Sequence, residues 1–226
     1  STGGDPARIH AGDVDGDGDD DIIGVSANAD GTTGVTTWMS NRTATGGGNP
    51  GSSGAVFSAL RTAVGDFDAD GVIDLIAATP GTDAVTNFMV NFGRKGQVQF
   101  GGFVKVGSTG GNPARIHAGD VDGDGDDDIV GLSANADGTT NITTWMSNRT
   151  TVGGGNPGSS AAVFSSLRTT LGDFDGDGVA DLIAAMPGAE NVTDFKVNFG
   201  RKGSPTFAGF ADVGGTAGNP TYLVNR

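Results

Sequence analysis

The chain has 226 residues, of which 42 are glycine, eight are proline and none is cysteine, and its formal net charge is −14. Without a thiol, a disulfide framework, a Cys-ligated zinc or iron–sulfur site and a cysteine nucleophile are excluded. No run approaches the roughly 18 consecutive apolar residues of a membrane-spanning helix, so we expect no membrane insertion. The acidic charge argues against nucleic acid as a partner, because nucleic-acid binding requires clustered Lys and Arg.

The acidic residues are concentrated in four short segments. Of the 27 acidic residues, 26 are Asp, and 20 of these Asp residues fall within four nine-residue segments. A surface that only aids solubility would mix Glu with Asp and scatter both along the chain. The concentration therefore indicates four loops with a shared chemical task.

A long internal repeat organises the chain. Residues 1–106 align without a gap with residues 108–213, at a constant offset of 107 and with 81 identities. At intervals of 53 or 54 residues, the acidic segments begin at Asp13, Asp66, Asp120 and Asp173. The basic module is thus about 53 residues long. We predict four modules, followed by a C-terminal strand segment that matches the opening of a further module: 1–53, 54–106, 107–160, 161–213 and 214–226.

The predicted elements are all strands. In chain order, the first repeat is predicted to form strands at 21–27, 32–41, 55–64, 74–81, 84–93 and 97–106, with turns at 46–54 and 94–96. These runs are rich in β-branched and aromatic residues and are separated by Gly, Pro, Asn and Asp. Short strands at this density are typical of β-propeller blades. The predicted fold is therefore all-β, with four propeller-type blades arranged as two 107-residue tandem repeats.

The four acidic segments share the pattern D-x-D-x-D-G-x-x-D. Carboxylates at positions 1, 3 and 5 of a tightly curled loop converge on one point, the Gly at position 6 permits the turn, and position 7 can offer its backbone carbonyl. Such hard oxygen ligands on a flexible loop suit Ca²⁺ better than Mg²⁺, which demands stricter six-coordinate geometry. Because the chain has only His10 and His117 and no Cys, a transition metal is disfavoured.

The loops differ from two other calcium motifs. An EF-hand closes its site with Glu at position 12. Here position 12 is Gly24, Ala77, Gly131 and Ala184. Position 9 is Asp in every copy, so each loop closes three residues early, at the start of a strand. The nonapeptide arrays of RTX β-rolls are disfavoured as well, because these loops recur only once per module.

The loops with their flanking strands resemble a known family. The segments GDVDGDGDDDIIG, GDFDADGVIDLIAATPG and GDFDGDGVADLIAAMPG look like the FG-GAP/VCBS repeats of integrin α-subunit-type β-propellers. In that family the calcium loop joins the first and second strands of each blade. The resemblance extends over essentially the whole chain, although such propellers commonly have more blades than the four predicted here.

The resemblance implies about four bound Ca²⁺ ions, one in each loop. Carried over by position, the side-chain ligands would be Asp13, Asp15, Asp17 and Asp21; Asp66, Asp68, Asp70 and Asp74; Asp120, Asp122, Asp124 and Asp128; and Asp173, Asp175, Asp177 and Asp181. The residues that would contribute backbone carbonyls are Asp19, Val72, Asp126 and Val179.

Calcium binding predicts where the protein works. Four ions would change the formal charge from −14 to −6 and relieve the repulsion between the clustered carboxylates. Extracellular calcium modules bind with dissociation constants of about 10⁻⁴ to 10⁻³ M, so their sites would stay empty in a cytosol. We therefore expect a secreted or cell-surface protein. The first residues do not resemble a signal peptide, and we expect that any export signal has been removed or lies outside this sequence.

The sequence favours a structural role over catalysis. It contains no G-x-S-x-G or H-E-x-x-H motif, and most carboxylates are assigned to the loops, so we do not expect an enzyme. We expect a subunit of an extracellular fibre or surface adhesin that polymerises head to tail, with the strand in 214–226 completing the next subunit. The alternative is a calcium-dependent lectin or adhesion module that binds a glycan or protein ligand, with Trp38 and Trp145 as candidate platforms. A fragment of a longer propeller enzyme is a third, weaker interpretation.

Overall fold

The computed structural model describes residues 6–30, 32–53, 61–82, 85–160, 168–187, 192–218 and 223. Within these ranges the regular elements are β-strands. In chain order the strands are β1 Arg8–Gly12, β2 Asp21–Ala27, β3 Thr33–Trp38, β4 Asn49–Ser53, β5 Thr62–Gly65, β6 Asp74–Pro80, β7 Thr86–Asn91, β8 Phe103–Thr109, β9 Arg115–Gly119, β10 Asp128–Ala134, β11 Thr140–Trp145, β12 Asn156–Ser160, β13 Thr169–Gly172, β14 Asp181–Pro187, β15 Val192–Asn198 and β16 Phe210–Ala217.

The strands form four antiparallel four-stranded sheets. Each sheet is a meander of consecutive strands: β1 to β4, β5 to β8, β9 to β12 and β13 to β16. We call them sheets 1 to 4. The prediction of an all-β fold built from four blade-like modules is confirmed.

The chain divides into two compact units. The first unit comprises Ser1–Asn112 with Arg149–Thr151, and the second comprises Pro113–Asn148 with Val152–Arg226. Sheets 1 and 2 belong to the first unit, and sheets 3 and 4 belong to the second.

Each unit has an apolar core to which its two sheets contribute. In the first unit, Ile23 and Val35 of sheet 1 pack with Leu75 of sheet 2, and Val14 from the loop between β1 and β2 joins them. The core of the second unit contains Val121, Val130, Leu132, Ile142, Leu171, Leu182, Ala184 and Met186. Burial alternates along β3, as expected for a strand with one covered face, whereas β6 is buried on both faces. Packed sheets of this kind hold the connecting loops in fixed positions.

Two local predictions of secondary structure were wrong. Residues 46–54 were predicted as a turn, but β4 lies within them, with Pro50 opposite Thr36 of β3. Because β4 is an edge strand, its proline and glycines are tolerated where a central strand would exclude them. Residues 97–106 were predicted as one strand, but β8 begins only at Phe103. In the predicted strand 55–64, residues 55–60 lie outside the described residues.

The last strands of sheets 2 and 4 cross predicted module boundaries. The boundary between residues 106 and 107 falls within β8, and that between 213 and 214 falls within β16. Residues 214–217 are therefore the end of the fourth strand of sheet 4, paired with β15. Of the remaining C-terminal segment, the structure describes only Gly218 and Leu223.

Candidate metal centre

The four acidic loops occupy the same place in all four sheets. Each loop connects the first strand of its sheet to the second, and position 9 is the first residue of that second strand. We number the loops 1 to 4 with their sheets. The glycine at position 6 has a φ between +84° and +95° in all four loops, a conformation that L side chains rarely adopt. The D-x-D-x-D-G pattern therefore folds into one tight turn four times.

The Asp at position 1 organises the turn through backbone hydrogen bonds. In loop 1, Asp13 Oδ1 accepts from Gly16 N at 2.7 Å, and Asp13 Oδ2 accepts from Gly18 N at 2.8 Å. The second bond recurs in every loop, at 2.9 to 3.1 Å in the other three. The position 1 carboxylate thus aligns the curled backbone and keeps further lone pairs for a cation.

The Asp at position 5 closes a smaller turn. Its Oδ1 accepts from the backbone N of position 7 in all four loops, at 2.8 to 3.1 Å. This short-range bond is an Asx turn, which a carboxylate two residues upstream readily makes. It restrains the peptide segment that holds position 7, where the resemblance implied a carbonyl ligand.

The Asp at position 9 fastens each loop to its own sheet. In loop 2, Asp74 Oδ2 accepts from Phe67 N at 3.0 Å, and Asp74 Oδ1 accepts from Gly93 N at 2.8 Å. Asp21, Asp128 and Asp181 make the same two kinds of bond in the other loops. A single carboxylate therefore joins the loop to the backbone that follows the third strand.

Burial makes the position 9 carboxylates hard to ionise without a cation. Desolvation raises the pKa of Asp74 to about 7 and the pKa of Asp128 to about 8, despite the opposing backbone hydrogen bonds. The pKa of Asp21 and of Asp181 is raised for the same reason. A bound divalent cation would favour the charged form of all four groups.

The Asp at position 3 provides the observation that tests whether a metal fits. Asp68 Oδ1 and Asp122 Oδ1 are buried and have no hydrogen-bond partner. Desolvation, followed by a neighbouring carboxylate, raises the pKa of each group. Buried polar atoms are normally satisfied, so an unpaired carboxylate oxygen that faces other carboxylates fits a cation ligand.

Carboxylate oxygens converge in every loop. In each loop, three acidic residues place one oxygen each within 4.8 Å of the others: Asp13, Asp15 and Asp17; Asp66, Asp68 and Asp70; Asp120, Asp122 and Asp128; Asp173, Asp175 and Asp181. Calcium binds oxygen at about 2.3–2.6 Å, so two ligands of one ion can lie up to about 5 Å apart. All four groups could therefore hold a metal ion.

The triplets do not include every predicted ligand. Asp21 and Asp74, at position 9 of loops 1 and 2, lie outside them, as do Asp124 and Asp177, at position 5 of loops 3 and 4. Those four residues, and the position 7 carbonyls, remain predicted ligands.

Two arginines near the loops were not predicted as part of the sites. Arg42 Nε donates to Asp19 Oδ1 at 2.6 Å in loop 1. Arg94 Nη1 lies 3.6 Å from Asp68 Oδ2 and 4.0 Å from Asp70 Oδ2 in loop 2. Arg94 lies in the turn that the sequence predicted at residues 94–96. Because Arg94 is 24 or more residues from these Asp residues in the sequence, no local pattern could predict the ion pairs.

The two loops of the first unit are also connected by backbone hydrogen bonds. Ile73 N, from loop 2, donates to Asp13 O at 2.9 Å, and Gly96 N donates to Asp15 O at 2.6 Å. Gly96 lies in the same turn as Arg94. In the second unit, Ala180 N donates to Asp120 O at 2.7 Å in the same way. In each unit, backbone hydrogen bonds therefore join the two acidic loops to each other.

A comparison with protein families agrees with this geometry. Residues 66–131 match the family model of an FG-GAP-like repeat. The matched stretch begins at the first Asp of loop 2 and extends through loop 3 into β10. The chain therefore carries FG-GAP-like repeat sequence, and the resemblance expected from the loops is confirmed.

No curated protein matches the chain. FG-GAP repeats are typical of extracellular proteins. Among the described residues, no helix has the length and apolar character needed to cross a membrane.

Proposed function

We propose that the protein is a secreted, calcium-binding repeat module with a structural or assembly role, and that each of its four loops binds one Ca²⁺ ion. The observation that carries the proposal is the fourfold recurrence of one loop geometry with converging carboxylate oxygens. Two of these loops contain a buried carboxylate oxygen that has no hydrogen-bond partner.

Calcium is the preferred cation because of the donor set. The converging groups are all carboxylates, and Ca²⁺ accepts six to eight oxygen ligands in irregular geometry. Mg²⁺ keeps several waters and demands an octahedral arrangement. In the described part of the chain, the two histidines are engaged elsewhere: His10 Nε2 lies 2.8 Å from Thr62 Oγ1, and His117 Nε2 lies 2.9 Å from Thr169 Oγ1.

We assign the bound calcium a structural task and no catalytic one. The carboxylates at positions 1, 5 and 9 already hold the loop backbone, so a cation would complete the fold around them. An ion that binds only the folded chain stabilises it by mass action. With a dissociation constant of about 10⁻⁴ M, each site would contribute about 1.4 kcal/mol at about 1 mM Ca²⁺.

Calcium removal tests this function directly. We expect isothermal titration calorimetry to count about four Ca²⁺ ions per chain, and we expect chelation to lower the thermal unfolding temperature markedly. A matched titration with Mg²⁺ should give weaker binding. A chain that binds no Ca²⁺ and unfolds at the same temperature with and without chelator would contradict the proposal.

We also propose that the chains associate head to tail in an extracellular fibre or surface adhesin, through a contact of the C-terminal segment. Because β16 already pairs residues 214–217 with β15, a donated strand would not include those four residues. Electron microscopy in Ca²⁺, with a chelated sample beside it, should show filaments that a chain lacking 218–226 no longer forms. Unchanged filaments from the truncated chain would exclude the strand contact.

A second candidate function, glycan binding, is favoured by a cleft in the second unit. The cleft has a volume of about 230 Å³, and Asn156, Thr206 and Phe207 are among its lining residues. Amide and hydroxyl groups beside an aromatic ring suit a small neutral polyol. The equivalent space in the first unit, near Asn49 and Phe100, has only about 10 Å³.

The two units supply a matched pair of variants for the glycan candidate. If the cleft binds sugars, Asn156→Ala should abolish binding on a glycan array, whereas Asn49→Ala should leave it unchanged. Trp145 is almost fully buried, so quenching of its emission would be a poor reporter. A glycan array without any wild-type signal would remove this candidate.

A further inference from the structure

The acidic loops differ from one another in a way that metal binding does not explain. Position 7 offers its backbone carbonyl to a cation, so a metal site does not require a particular side chain there. The residue is nevertheless Asp in loops 1 and 3, at Asp19 and Asp126, and Val in loops 2 and 4, at Val72 and Val179. Both valines are 2% exposed, although the glycine before each of them is exposed. The buried valines therefore indicate a packing role that position 7 of loops 1 and 3 does not share.

Val72 of loop 2 packs against loop 1. A Cβ atom placed on Gly16, the position 4 residue of loop 1, would lie 3.2 Å from Val72 Cγ2. The other methyl carbon, Val72 Cγ1, would lie 2.7 Å from a Cβ atom placed on Gly93, which follows β7. A side chain at Gly93 would therefore collide with the valine. The side chain of Val72 thus contacts loop 1 with one methyl group and its own sheet with the other.

The second unit repeats this packing. A Cβ atom placed on Gly123 of loop 3 would lie 3.2 Å from Val179 Cγ2 of loop 4. A Cβ atom placed on Gly200 would lie 2.6 Å from Val179 Cγ1. Because the contact recurs in both units, it is a property of the paired loops rather than of one copy.

Backbone hydrogen bonds connect the same loops at the next residue. Ile73 N, directly after Val72, donates to Asp13 O at 2.9 Å. In the second unit, Ala180 N donates to Asp120 O at 2.7 Å. Asp13 and Asp120 are the position 1 residues of loops 1 and 3, and both belong to the converging triplets. Positions 7 and 8 of one loop therefore hold positions 4 and 1 of the other.

The valines are also connected to the metal ligands of their own loops. Asp70 Oδ1 accepts from Val72 N at 2.9 Å, and Asp177 Oδ1 accepts from Val179 N at 2.9 Å. Asp70 belongs to the converging triplet of loop 2, and Asp177 is a predicted ligand of loop 4. A cation held by the position 5 carboxylate and the position 7 carbonyl would fix the backbone on both sides of each valine.

We propose that the two calcium sites of each unit are coupled, so that an ion in loop 2 raises the affinity of loop 1, and an ion in loop 4 raises that of loop 3. Val72 and Val179 are the positioning residues that carry this effect. The inference rests on the calcium binding proposed above. An ion that orders loop 2 also orders the residues that hold loop 1, so the second ion loses less conformational entropy when it binds.

This coupling has two consequences that can be measured. By linkage, each site of a pair must change the affinity of the other by the same factor. The coupling acts within a unit, so loops 3 and 4 serve as internal controls for loops 1 and 2. Repulsion between two bound ions acts in the opposite direction, so the sign of the coupling distinguishes ordering from repulsion.

A calcium titration that resolves the four sites tests the proposal. In every loop, the backbone N of the position 6 glycine donates to the position 1 carboxylate. The ¹H–¹⁵N NMR signals of these glycines therefore report the occupancy of each loop separately. The four reporters are Gly18, Gly71, Gly125 and Gly178.

Removal of one site shows whether its neighbour depends on it. Asp68→Asn with Asp70→Asn should remove the site in loop 2 and lower the calcium affinity of loop 1 at least about fivefold. The affinities of loops 3 and 4 should stay the same. By reciprocity, Asp15→Asn with Asp17→Asn should lower the affinity of loop 2 by the same factor. Circular dichroism checks that each variant folds, and either pair of substitutions is sufficient for the test.

Val72→Ala separates coupling from a merely structural role of the valine. The variant keeps the backbone N–H and carbonyl of position 7 and removes the side chain that contacts loop 1. It should lower the affinity of loop 1 in the chain with four sites. In the Asp68→Asn/Asp70→Asn background it should cause no further loss, because no ion is bound in loop 2. Val179→Ala is the matched variant and should act on loop 3 alone.

The outcomes separate this inference from the function on which it rests. An affinity of loop 1 that is unchanged or higher after removal of the loop 2 site would overturn the coupling and leave calcium binding intact. Equal losses from Val72→Ala in both backgrounds would overturn the assigned role of the valine. Glycine signals that do not respond to Ca²⁺ in any loop of the wild-type chain would overturn calcium binding and the coupling together.

Discussion

Loops 2 and 4 have nearly the same sequence, DFDADGVID and DFDGDGVAD, but they lie in different surroundings. Phe67 of loop 2 is fully buried, whereas Phe174 of loop 4 is half exposed. The ring contact is the same in both, because Phe67 lies 6.2 Å from the ring of Phe92 and Phe174 lies 6.4 Å from the ring of Phe199. The hydrogen bonds within the two loops are nevertheless alike. The comparison shows that the nonapeptide sets the local geometry of a site, while its neighbours set how far the site is removed from water.

Arginine placement extends the comparison. Arg94 lies beside two carboxylates of loop 2, and its guanidinium carbon lies 5.3 Å from the centre of the Phe92 ring. Within the described residues, the corresponding Arg201 is exposed and no such ion pair joins it to loop 4. Loop 2 thus combines deeper burial with a built-in positive charge.

The largest expected difference concerns the aromatic residue at position 2. Phe67→Ala should lower the free energy of unfolding by about 3–5 kcal/mol, because it removes a fully buried ring. Phe174→Ala should cost less than about 1 kcal/mol, since much of that side chain is already in water. Urea denaturation in saturating Ca²⁺ measures both values. Equal losses would mean that loop 4 is covered in solution.

The next largest effect concerns the position 9 carboxylate. Asp74→Ala leaves two buried backbone N–H groups without an acceptor, and each should cost about 1–3 kcal/mol. Asp181→Ala removes the same two hydrogen bonds next to the exposed Phe174. Because water can replace part of them there, the loss of stability should be smaller. The measurement is thermal unfolding of the chelated proteins, which excludes the loss of calcium binding. A larger loss of stability for Asp181→Ala than for Asp74→Ala would mean that loop 4 lies further from water than loop 2.

The pH dependence of the metal-free protein follows from the raised pKa values. Asp74 has a pKa of about 7 and Asp128 a pKa of about 8 in the folded chain, against a usual value near 3.8. The folded state therefore binds more protons than the unfolded state between about pH 4 and pH 7–8, and its stability falls as pH rises through that window. Each group should contribute a slope of about 1.4 kcal/mol per pH unit there.

Calcium should reverse that trend, because it binds the ionised carboxylates. Unfolding followed from pH 4 to pH 8, with chelator and with saturating Ca²⁺, checks the sign. Asp74→Asn should flatten the chelated profile more than Asp181→Asn does. Metal-free stability that rises through this window would mean that these carboxylates are ionised in the folded chain.

The smallest expected effect concerns the arginine. Arg94→Gln should raise the calcium affinity of loop 2 by up to about fivefold, because a half-exposed ion pair is worth about 0.2–1 kcal/mol. It should also destabilise the chelated protein slightly, since the carboxylates lose their internal counter-charge. Arg201→Gln is the matched control and should change neither quantity. Terbium luminescence measured with both variants resolves a shift of this size.

Much of the fold and of the site was predictable because it depends on local pattern. The Gly at position 6 and the Asp residues at positions 1 and 5 interact within a few residues, so their spacing alone indicates a curled loop. The strands after the loops were also predictable from their β-branched runs. The edge strand β4 was missed because NPGSS has the composition of a turn, and only its pairing with β3 makes it a strand.

The long-range parts of the site were not predictable. The bond from Gly93 N to Asp74 spans 19 residues, and the ion pair of Arg94 with Asp70 spans 24, so both depend on how strands pair and turns pack. The difference in exposure between Ile9 and Ile116 is the clearest case, since the two residues lie in identical stretches of sequence, 6–22 and 113–129.

By itself, the sequence determined the fourfold module, the all-β character and the four acidic loops, because these depend on residue types at short, repeated spacings. Only the tertiary structure decided which carboxylate oxygens converge and which loops lie away from water. The physical reason is that burial and electrostatic environment depend on contacts between residues far apart in the chain, and identical sequences meet different neighbours.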